Sequence, residues 1–225
     1  MPAPPGGSGG GGYVLVWRGM AWLHLWVMET TKKRHQFLAD VELGEHGSAI
    51  EKRLADYAGR LEPDDLSSLM DPVTADIFGK VLRETGADSG VIWLADRERT
   101  NLVVGYSHKV EKLLGMRQPL DEGLISLVLG SEHAICENEV YADERHSKKI
   151  DEEIGMITCA MIAVPFYLGG NVRGVVSCVQ WKERESDPDP PGFTGSELNQ
   201  VKLFTAAAER LLNYELLKII LDVEV

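Results

Sequence analysis

The alternation of apolar and polar positions predicts helices at both ends of residues 70 to 221 and strands between them. Asp71 and Pro72 predict a helix start, because aspartate is a favoured N-cap and proline suits the first helical position. This helix is expected to end at Gly86, since glycine readily adopts the conformation that closes a helix. Its predicted apolar face consists of Val73, Ile77, Val81 and Leu82.

Two strands are predicted after this helix, because each segment is rich in branched and aromatic side chains. The strands cover Val91 to Ala95 and Asn101 to Tyr106, with a charged turn between them. The segment from Leu113 to Leu120 is expected to be a loop. Asp121 is then expected to cap a short helix that closes at Gly130.

The middle of the chain combines a short strand with a long polar segment. The strand is expected over Ala134 to Cys136. Residues 138 to 157 are polar and irregular, which predicts a loop with one helical turn. A loop of this length in a compact domain commonly has a function, for example as a lid over a site.

A hairpin and a long helix complete the pattern. Cys159 to Leu168 and Val172 to Trp181 are predicted to pair, because the intervening G-G-N sequence permits the positive φ angles of a tight turn. Thr194 and Glu197 have the spacing of a capping box, so a helix is expected from there to about Leu221.

The last helix carries apolar residues in two lines. One line is expected to cover the sheet, and the second could be buried in a homodimer; a single broad core face in a monomer is the alternative. The first line consists of Leu198, Val201, Thr205, Ala208, Leu212, Leu216, Ile219 and Val223, and the second of Phe204, Ala207, Leu211 and Ile220.

Composition and charge restrict the possible partners. The chain has 225 residues, of which 44% are hydrophobic and 26% charged, as in a globular protein. Its net charge of −12 disfavours binding to nucleic acids and to anionic membranes. Cys136, Cys159 and Cys178 lack metal-ligand spacing and cannot all pair, so we expect reduced thiols in a cytoplasmic protein.

The first part of the chain differs from the rest. Residues 1–28 are expected to be a non-native or disordered extension, with Met28 as the natural start. The apolar run within them is too short to span a bilayer and lacks the features of a signal peptide. An interfacial anchor that uses its tryptophans is the alternative. Residues 29–69 are expected to form a helical linker, and residues 70–225 the folded domain.

Four segments in order carry a resemblance to a known family. They are G-A-D-S-G-V-I-W-L-A-D, D-E-G-L-I-S-L-V, Y-A-D-E-R-H and C-A-M-I-A-V-P-F-Y-L-G-G-N-V-R-G-V-V-S-C-V-Q-W-K. Over about residues 70 to 218 they resemble the GAF domain, a small sensory module. The resemblance implies an α+β sandwich with a central antiparallel sheet of about six strands. The terminal helices are expected on one face, and loops and short helices are expected to roof a pocket on the other.

The resemblance also implies which residues surround that pocket. For Trp93 and Met161 the alternative is core packing, and for the charged residues it is a solvated loop. The ligand and any cofactor remain unknown. The candidate ligand-binding residues are Trp93, Tyr106, Asn138, Asp143, His146, Lys148, Thr158, Cys159 and Met161.

Three subfamilies of known activity fit less well. A cyclic-nucleotide motif is only partly present, with Lys182, Phe193 and Glu197 kept and an asparagine and a glutamate lost; an ion pair between Lys182 and Glu197 could still act as a latch. Bilin attachment is not expected, because no Cys-His pair occurs in the sequence. A free methionine sulfoxide reductase requires reactive thiols, and the acidic neighbours of Cys136 are expected to raise its pKa.

From Met28 onward, the sequence contains no G-x-S-x-G motif and no phosphate-binding glycine loop with lysine. We therefore expect a non-catalytic sensory or regulatory protein that binds a small molecule and signals through its terminal helices. A ligand-free dimerisation or docking module is the first alternative. A sulfoxide reductase in which Cys136 and Cys159 meet across the pocket is the second.

Overall fold

An antiparallel sheet of six strands is the centre of residues 41–222, the part of the chain that the computed structural model describes. The strands lie in the order β3-β2-β1-β6-β5-β4, and all neighbouring pairs are antiparallel. The prediction of about six antiparallel strands is confirmed. The strands are β1 (Ser89–Ala95), β2 (Asn101–His108), β3 (Arg117–Pro119), β4 (Ile135–Glu137), β5 (Ile157–Leu168) and β6 (Asn171–Lys182).

Helices precede, interrupt and follow the sheet. The predictions for residues 1–28, for residues 29–40 and for Val223 lie outside the described residues. Within residues 41–222, no helix is long and apolar enough to cross a membrane. The helices are α1 (Val41–Arg60), α2 (Pro63–Leu69), α3 (Pro72–Thr85), α4 (Gly123–Ser131), α5 (Lys149–Ile154) and α6 (Gly195–Leu221), and 3₁₀ turns cover Glu111–Leu113 and Val140–Ala142.

Helices α2, α3 and α6 pack on one face of the sheet. Phe78 of α3 stacks on Phe204 of α6 with their ring centroids 4.3 Å apart. Leu82, Ile162 and Leu212 are fully or almost fully buried beside them. Removal of this apolar surface from water is the main stabilising contribution to the fold. The prediction that the first and last helices of the domain share one face is therefore confirmed.

A second apolar core lies on the opposite face, under α4, α5 and the 3₁₀ turns. Trp93, Val104 and Met161 point into this core from the sheet, and Val128 of α4 is fully buried against them. The predicted roof of loops and short helices is thus present on this face. It is the smaller of the two cores.

Two predictions in the middle of the chain are wrong. Part of the expected loop is strand β3, because Arg117 to Pro119 pairs with the start of β2. Helix α4 begins after Glu122 rather than at a cap formed by Asp121, and the side chain of Glu122 makes no capping hydrogen bond. The helix continues past Gly130 to Ser131, and its C-cap is Glu132, which adopts the left-handed conformation with φ of 57°.

The buried faces of α3 and α6 are rotated relative to the prediction. Val73 is 62% exposed, and the core face of α3 includes Phe78 and Thr74 instead. In α6, Phe204 is buried together with the first predicted line, whereas Ile219 is exposed. The stacking of Phe78 on Phe204 fixes both rotations, because each large ring must lie between the helices.

Side chains of α6 also close the open edge of β5. Strand β4 covers β5 only up to Ala163, where it pairs with Ile135. Beyond that point the backbone N–H of Tyr167 donates to the carboxylate of Glu209 at 2.9 Å, and the N–H of Gly169 donates to Asn213 Oδ1 at 2.8 Å. The helix therefore satisfies backbone donors at the end of β5 and in the turn after it, which would otherwise be exposed at the sheet edge.

Candidate ligand pocket

A cavity of about 50 Å³ lies between the second face of the sheet and α5. The sheet side of its wall comes from β1, β2, β5 and β6, and helix α4 closes one flank. Most of the wall is apolar. The apolar residues that define its shape include Val91, Trp93, Val104, Ile125, Met161 and Trp181.

The floor of the cavity contains two serines on neighbouring strands. Ser177 of β6 pairs with Val91 of β1, and its Oγ accepts a hydrogen bond of 3.0 Å from Nε1 of Trp93. Ser89 lies two residues before Val91 and points to the same face, because side chains alternate along a strand. Its hydroxyl is buried and has no hydrogen-bond partner within residues 41–222. Ser89 is thus an unused polar group at the cavity wall.

The roof is attached to the sheet through Asp151 of α5. Asp151 accepts hydrogen bonds from the backbone N–H of Thr158 at 2.9 Å and from its hydroxyl at 2.6 Å. Nε2 of His146 lies 3.2 Å from the same carboxylate. Burial raises the pKa of Asp151, but the hydrogen bonds from His146 and Thr158 outweigh this effect and lower the pKa below its usual value. The carboxylate is therefore ionised near neutral pH.

The structure brings four of the nine predicted site residues together. Trp93 and Met161 rise from the sheet, Thr158 lies at the start of β5, and His146 belongs to the roof. Each of them borders the same cavity. The remaining five lie elsewhere, and the reasons differ from residue to residue.

Tyr106 lies on the opposite face because of a β-bulge at Gly105. Trp93 pairs with Val104, whereas the preceding Ile92 pairs with Tyr106, so Gly105 is an extra residue in β2. The insertion reverses the alternation, and Tyr106 packs on Phe78 with ring centroids 6.1 Å apart. A glycine is needed there, because a Cβ atom at Gly105 would lie 2.6 Å from a backbone oxygen of α2.

A second bulge removes Cys159 from the cavity. Thr158 pairs with Trp181 and Ala160 pairs with Gln180, which leaves Cys159 as the extra residue of β5. Its Sγ donates to the carbonyl of Ile157 at 3.5 Å and is buried. Strict alternation along the strand would have placed this thiol beside Met161.

The other three residues are polar groups that already have partners or face solvent. Asn138 forms two hydrogen bonds with the backbone of Phe193: its Oδ1 accepts at 2.7 Å and its Nδ2 donates at 2.9 Å. Asp143 accepts two hydrogen bonds from the guanidinium of Arg145, which lower the pKa of Asp143 to about 2. Lys148, the N-cap residue immediately before α5, is exposed.

Sequence reasoning missed Asp151, which holds the roof. The segment 149 to 154 reads as a short, charged helical turn, so its acidic residues give no signal of burial. One clue was the helical spacing of Ile150 and Ile154, which places both apolar residues on the side facing the sheet. Asp151 is adjacent to that side and lines the cavity with them.

The three thiols are protonated and separate from the cavity. Cys136 pairs with Ile162 on the helix-covered face, and burial, Glu137 and Glu197 raise its pKa. Burial also raises the pKa of Cys159, and it raises that of Cys178 to about 12. The expectation that acidic neighbours raise the pKa of Cys136 agrees with this result, although burial is the larger cause.

The expected latch between Lys182 and Glu197 is absent from the described structure. Lys182 Nζ binds the carboxylate of Asp189 at 2.7 Å, and Glu197 accepts from the backbone N–H of Thr194 in the predicted capping box. Within the same described range, no group of three His, Cys, Asp or Glu side chains is arranged to hold a metal ion.

Comparisons with known proteins agree with this fold. The family model described as "GAF domain" matches residues 71–213. No curated protein matches the sequence. The GAF domain of a phosphoenolpyruvate-protein phosphotransferase from Acinetobacter is 16% identical, with 79% of this chain and 96% of that chain covered and a TM-score of 0.50.

Two further solved structures are similar. A fragment of a methyl-accepting chemotaxis protein is 18% identical, covers 76% of this chain and 98% of its own, and has a TM-score of 0.50. A free methionine-R-sulfoxide reductase from Neisseria meningitidis, solved with its substrate, is 15% identical, covers 82% and 99%, and has a TM-score of 0.47. At these low identities, the similarity to the phosphotransferase domain and to the chemotaxis protein shows the fold alone. Nothing about this chain is inferred from the reductase.

Proposed function

Because the chain belongs to the GAF domain family, we propose that it is a non-catalytic sensory module that binds a small molecule between the sheet and α5. One cavity wall combines an apolar surface, an ionised carboxylate and a buried hydroxyl that has no partner among residues 41–222, and this combination carries the proposal. Ligand sites typically combine an apolar wall with a few convergent polar groups in this way. The free state of all three cysteines fits a reducing compartment such as the cytoplasm.

Ligand entry must displace the roof. A cavity of about 50 Å³ holds one or two water molecules, whereas sites for small organic ligands usually measure roughly 300–1,000 Å³. Helix α5 is the element most easily moved, because every residue of this described helix remains half-buried or exposed. Its attachment depends on Ile150, Ile154 and the hydrogen bonds of Asp151 with Thr158.

The same segment is connected to α6, which provides a route for the signal. Asn138 begins the segment that becomes the roof, and its two hydrogen bonds hold Phe193, immediately before the N-cap Thr194. Tyr141, three residues further, donates to Asp189 in the loop before α6 at 3.2 Å. Displacement of the roof would therefore act on the start of the helix. In this proposal Asn138 transmits the change rather than contacting the ligand.

The proposal is tested with a metabolite panel and a matched pair of variants. Val179→Phe places a larger side chain at a position of β6 that lines the cavity. Val179 is only half-buried, so the phenylalanine can fill the cavity without replacing a fully buried core residue. Val172→Phe makes the same change in the same strand at a position that lies away from the cavity. Native mass spectrometry and thermal shift are measured for the wild type and both variants.

We expect one compound class to bind the wild type and Val172→Phe and to lose binding to Val179→Phe. Hydrogen exchange at the start of α6 should change when that compound is bound to the wild type. If no compound in a broad panel binds, or if binding is equal in both variants, the proposed pocket function is refuted.

A second candidate function, dimerisation or docking through α6, is favoured by the outer surface of this helix. Leu203 is 74% exposed and Tyr214 is 58% exposed, and Ile219 and Leu221 are exposed further along. Large apolar side chains concentrated on one helix are a feature of protein contact surfaces. Removing the helix beyond Asn213 would be a poor test, because residues after that point belong to the domain core.

Surface variants give a cleaner test. Leu203→Lys and Tyr214→Lys should lower self-association in size-exclusion chromatography with light scattering, without changing the unfolding temperature. Val73→Lys is the control, since the exposure of Val73 lies between those of Leu203 and Tyr214 but the residue belongs to α3. Unchanged association in both α6 variants would remove this candidate. Sulfoxide reduction is not proposed, because Cys136 and Cys159 lie outside the cavity and burial raises the pKa of both.

A further inference from the structure

The cavity wall carries a negative charge at Asp151, and none of the lining residues has a permanent positive charge to balance it. Asp151 is ionised because its hydrogen bonds stabilise the carboxylate. The residues that line the cavity all lie within residues 41–222, and none of them is lysine or arginine. His146, at 3.2 Å from Asp151, is the nearest titratable neighbour in the wall. An anionic ligand would therefore be placed beside a carboxylate in a poorly solvated space.

Two indole rings occupy the same wall. Trp93 is almost completely buried, and Trp181 is half-buried on the neighbouring strand β6. The face of an indole ring attracts cations through its quadrupole, and this attraction increases when water is excluded. Trp181 lies opposite Thr158, which binds Asp151, so an indole and the carboxylate are held at the same end of the cavity.

The unused polar group of the floor can form a hydrogen bond with a polar substituent of a ligand. Ser89 is 1% exposed, and its hydroxyl has no hydrogen-bond partner among residues 41–222. A buried hydroxyl without a partner costs free energy, and a bound donor would recover it. Ser177 is already engaged, because its Oγ accepts from Trp93.

From these observations we propose that the cavity binds a compact organic cation, an alkylated ammonium, in preference to a neutral or anionic molecule of the same shape. This inference rests on the proposed function and specifies the ligand class of that site. The ammonium group would lie near Asp151 and the indole rings, and a polar substituent would reach Ser89. Such a ligand exceeds the closed cavity of about 50 Å³, so binding includes an outward movement of α5.

The test uses three probes of nearly identical shape and different charge. They are choline, its neutral carbon isostere 3,3-dimethyl-1-butanol, and the anion 3,3-dimethylbutanoate. Binding is followed by tryptophan fluorescence in the full chain with Trp17, Trp22 and Trp26 replaced by phenylalanine, so that the signal comes from Trp93 and Trp181. Calorimetry on the unmodified chain provides an independent affinity.

We expect choline to bind about tenfold more tightly than the neutral isostere, in line with a desolvated cation–π contact and a nearby carboxylate. The anion should give no saturable change. Asp151→Asn should remove most of the difference between choline and the neutral isostere. Glu153→Gln is the matched control, because it removes one negative charge from an exposed position of the same helix, and it should leave the ratio unchanged.

The comparison of probes in the wild type does not depend on whether Asp151→Asn folds. Equal binding of all three probes, or tighter binding of the anion, overturns the inference while the pocket function stands. Absence of binding by all three also overturns it, and in that case the metabolite panel decides separately whether the pocket binds any ligand. Equal loss of the choline preference in Asp151→Asn and Glu153→Gln would show that general surface charge, rather than the cavity, is responsible.

Discussion

Replacing Gln180 by methionine is expected to destabilise the protein through two backbone groups that lose their partner. The Gln180 side chain is 2% exposed and lies in β6. Its Nε2 donates to the carbonyl of Gly86, the C-cap of α3, at 3.1 Å. Its Oε1 accepts from the backbone N–H of Gly192, in the loop before α6, at 2.9 Å. One amide thus holds the end of one helix and the approach to another.

The magnitude follows from the loss of two hydrogen bonds and the exposure of their backbone partners. Each bond contributes about 0.5–1.5 kcal/mol net, and a backbone group left buried without a partner costs about 1–3 kcal/mol. Gly86 is exposed and Gly192 is half-buried, so water can partly replace the amide. We therefore expect a loss of about 2 kcal/mol, which corresponds to a fall in Tm of roughly 4–8 °C for a domain of this size.

The chain offers a matched control in Gln200. Its Oε1 is buried without a hydrogen-bond partner among residues 41–222, so Gln200→Met removes an unpaired polar atom and leaves no new one. Urea unfolding followed by circular dichroism should show a change between about 0 and 1 kcal/mol, in the stabilising direction. A loss of less than about 0.5 kcal/mol in Gln180→Met, or equal losses in both variants, would refute the reasoning.

Further variants test other parts of the structure. Burial raises the pKa of Asp96, but hydrogen bonds from Asn101 and Thr100 outweigh this effect and lower the pKa to about 2. The ionised carboxylate therefore stabilises the fold above about pH 5, and this stabilisation is lost as the pH falls towards 2. In urea titrations, Asp96→Asn should lower the free energy of unfolding by roughly 1–2 kcal/mol above about pH 5 and have little effect near pH 2. Gly105→Ala should lower the free energy of unfolding by about 1–3 kcal/mol in urea titrations, because its Cβ would overlap α2. Gly47→Ala, which lies in open space on α1, should raise the free energy of unfolding by about 0.5–1 kcal/mol in the same titrations.

Local signals in the sequence were sufficient for most element ends. The Asp71 cap binds the backbone N–H groups of Val73 and Thr74, and Gly86 ends α3 with a φ of 68°. The capping box at Thr194 is also formed as predicted. These features are predictable because each depends on interactions within a few residues of the chain. Strand β3 was missed for the opposite reason: a segment of three residues becomes a strand only by pairing with a distant partner.

The sequence by itself determined the family, the order of the elements other than β3, and four residues of the cavity wall. It did not determine the face of Tyr106 or of Cys159, because a bulge inserts one residue and reverses every side chain beyond it. It also gave no indication that Asp151 holds the roof, since a carboxylate in a charged turn has the pattern of a solvated residue. Only the tertiary structure decided these points, because they depend on register and on contacts between segments far apart in the chain.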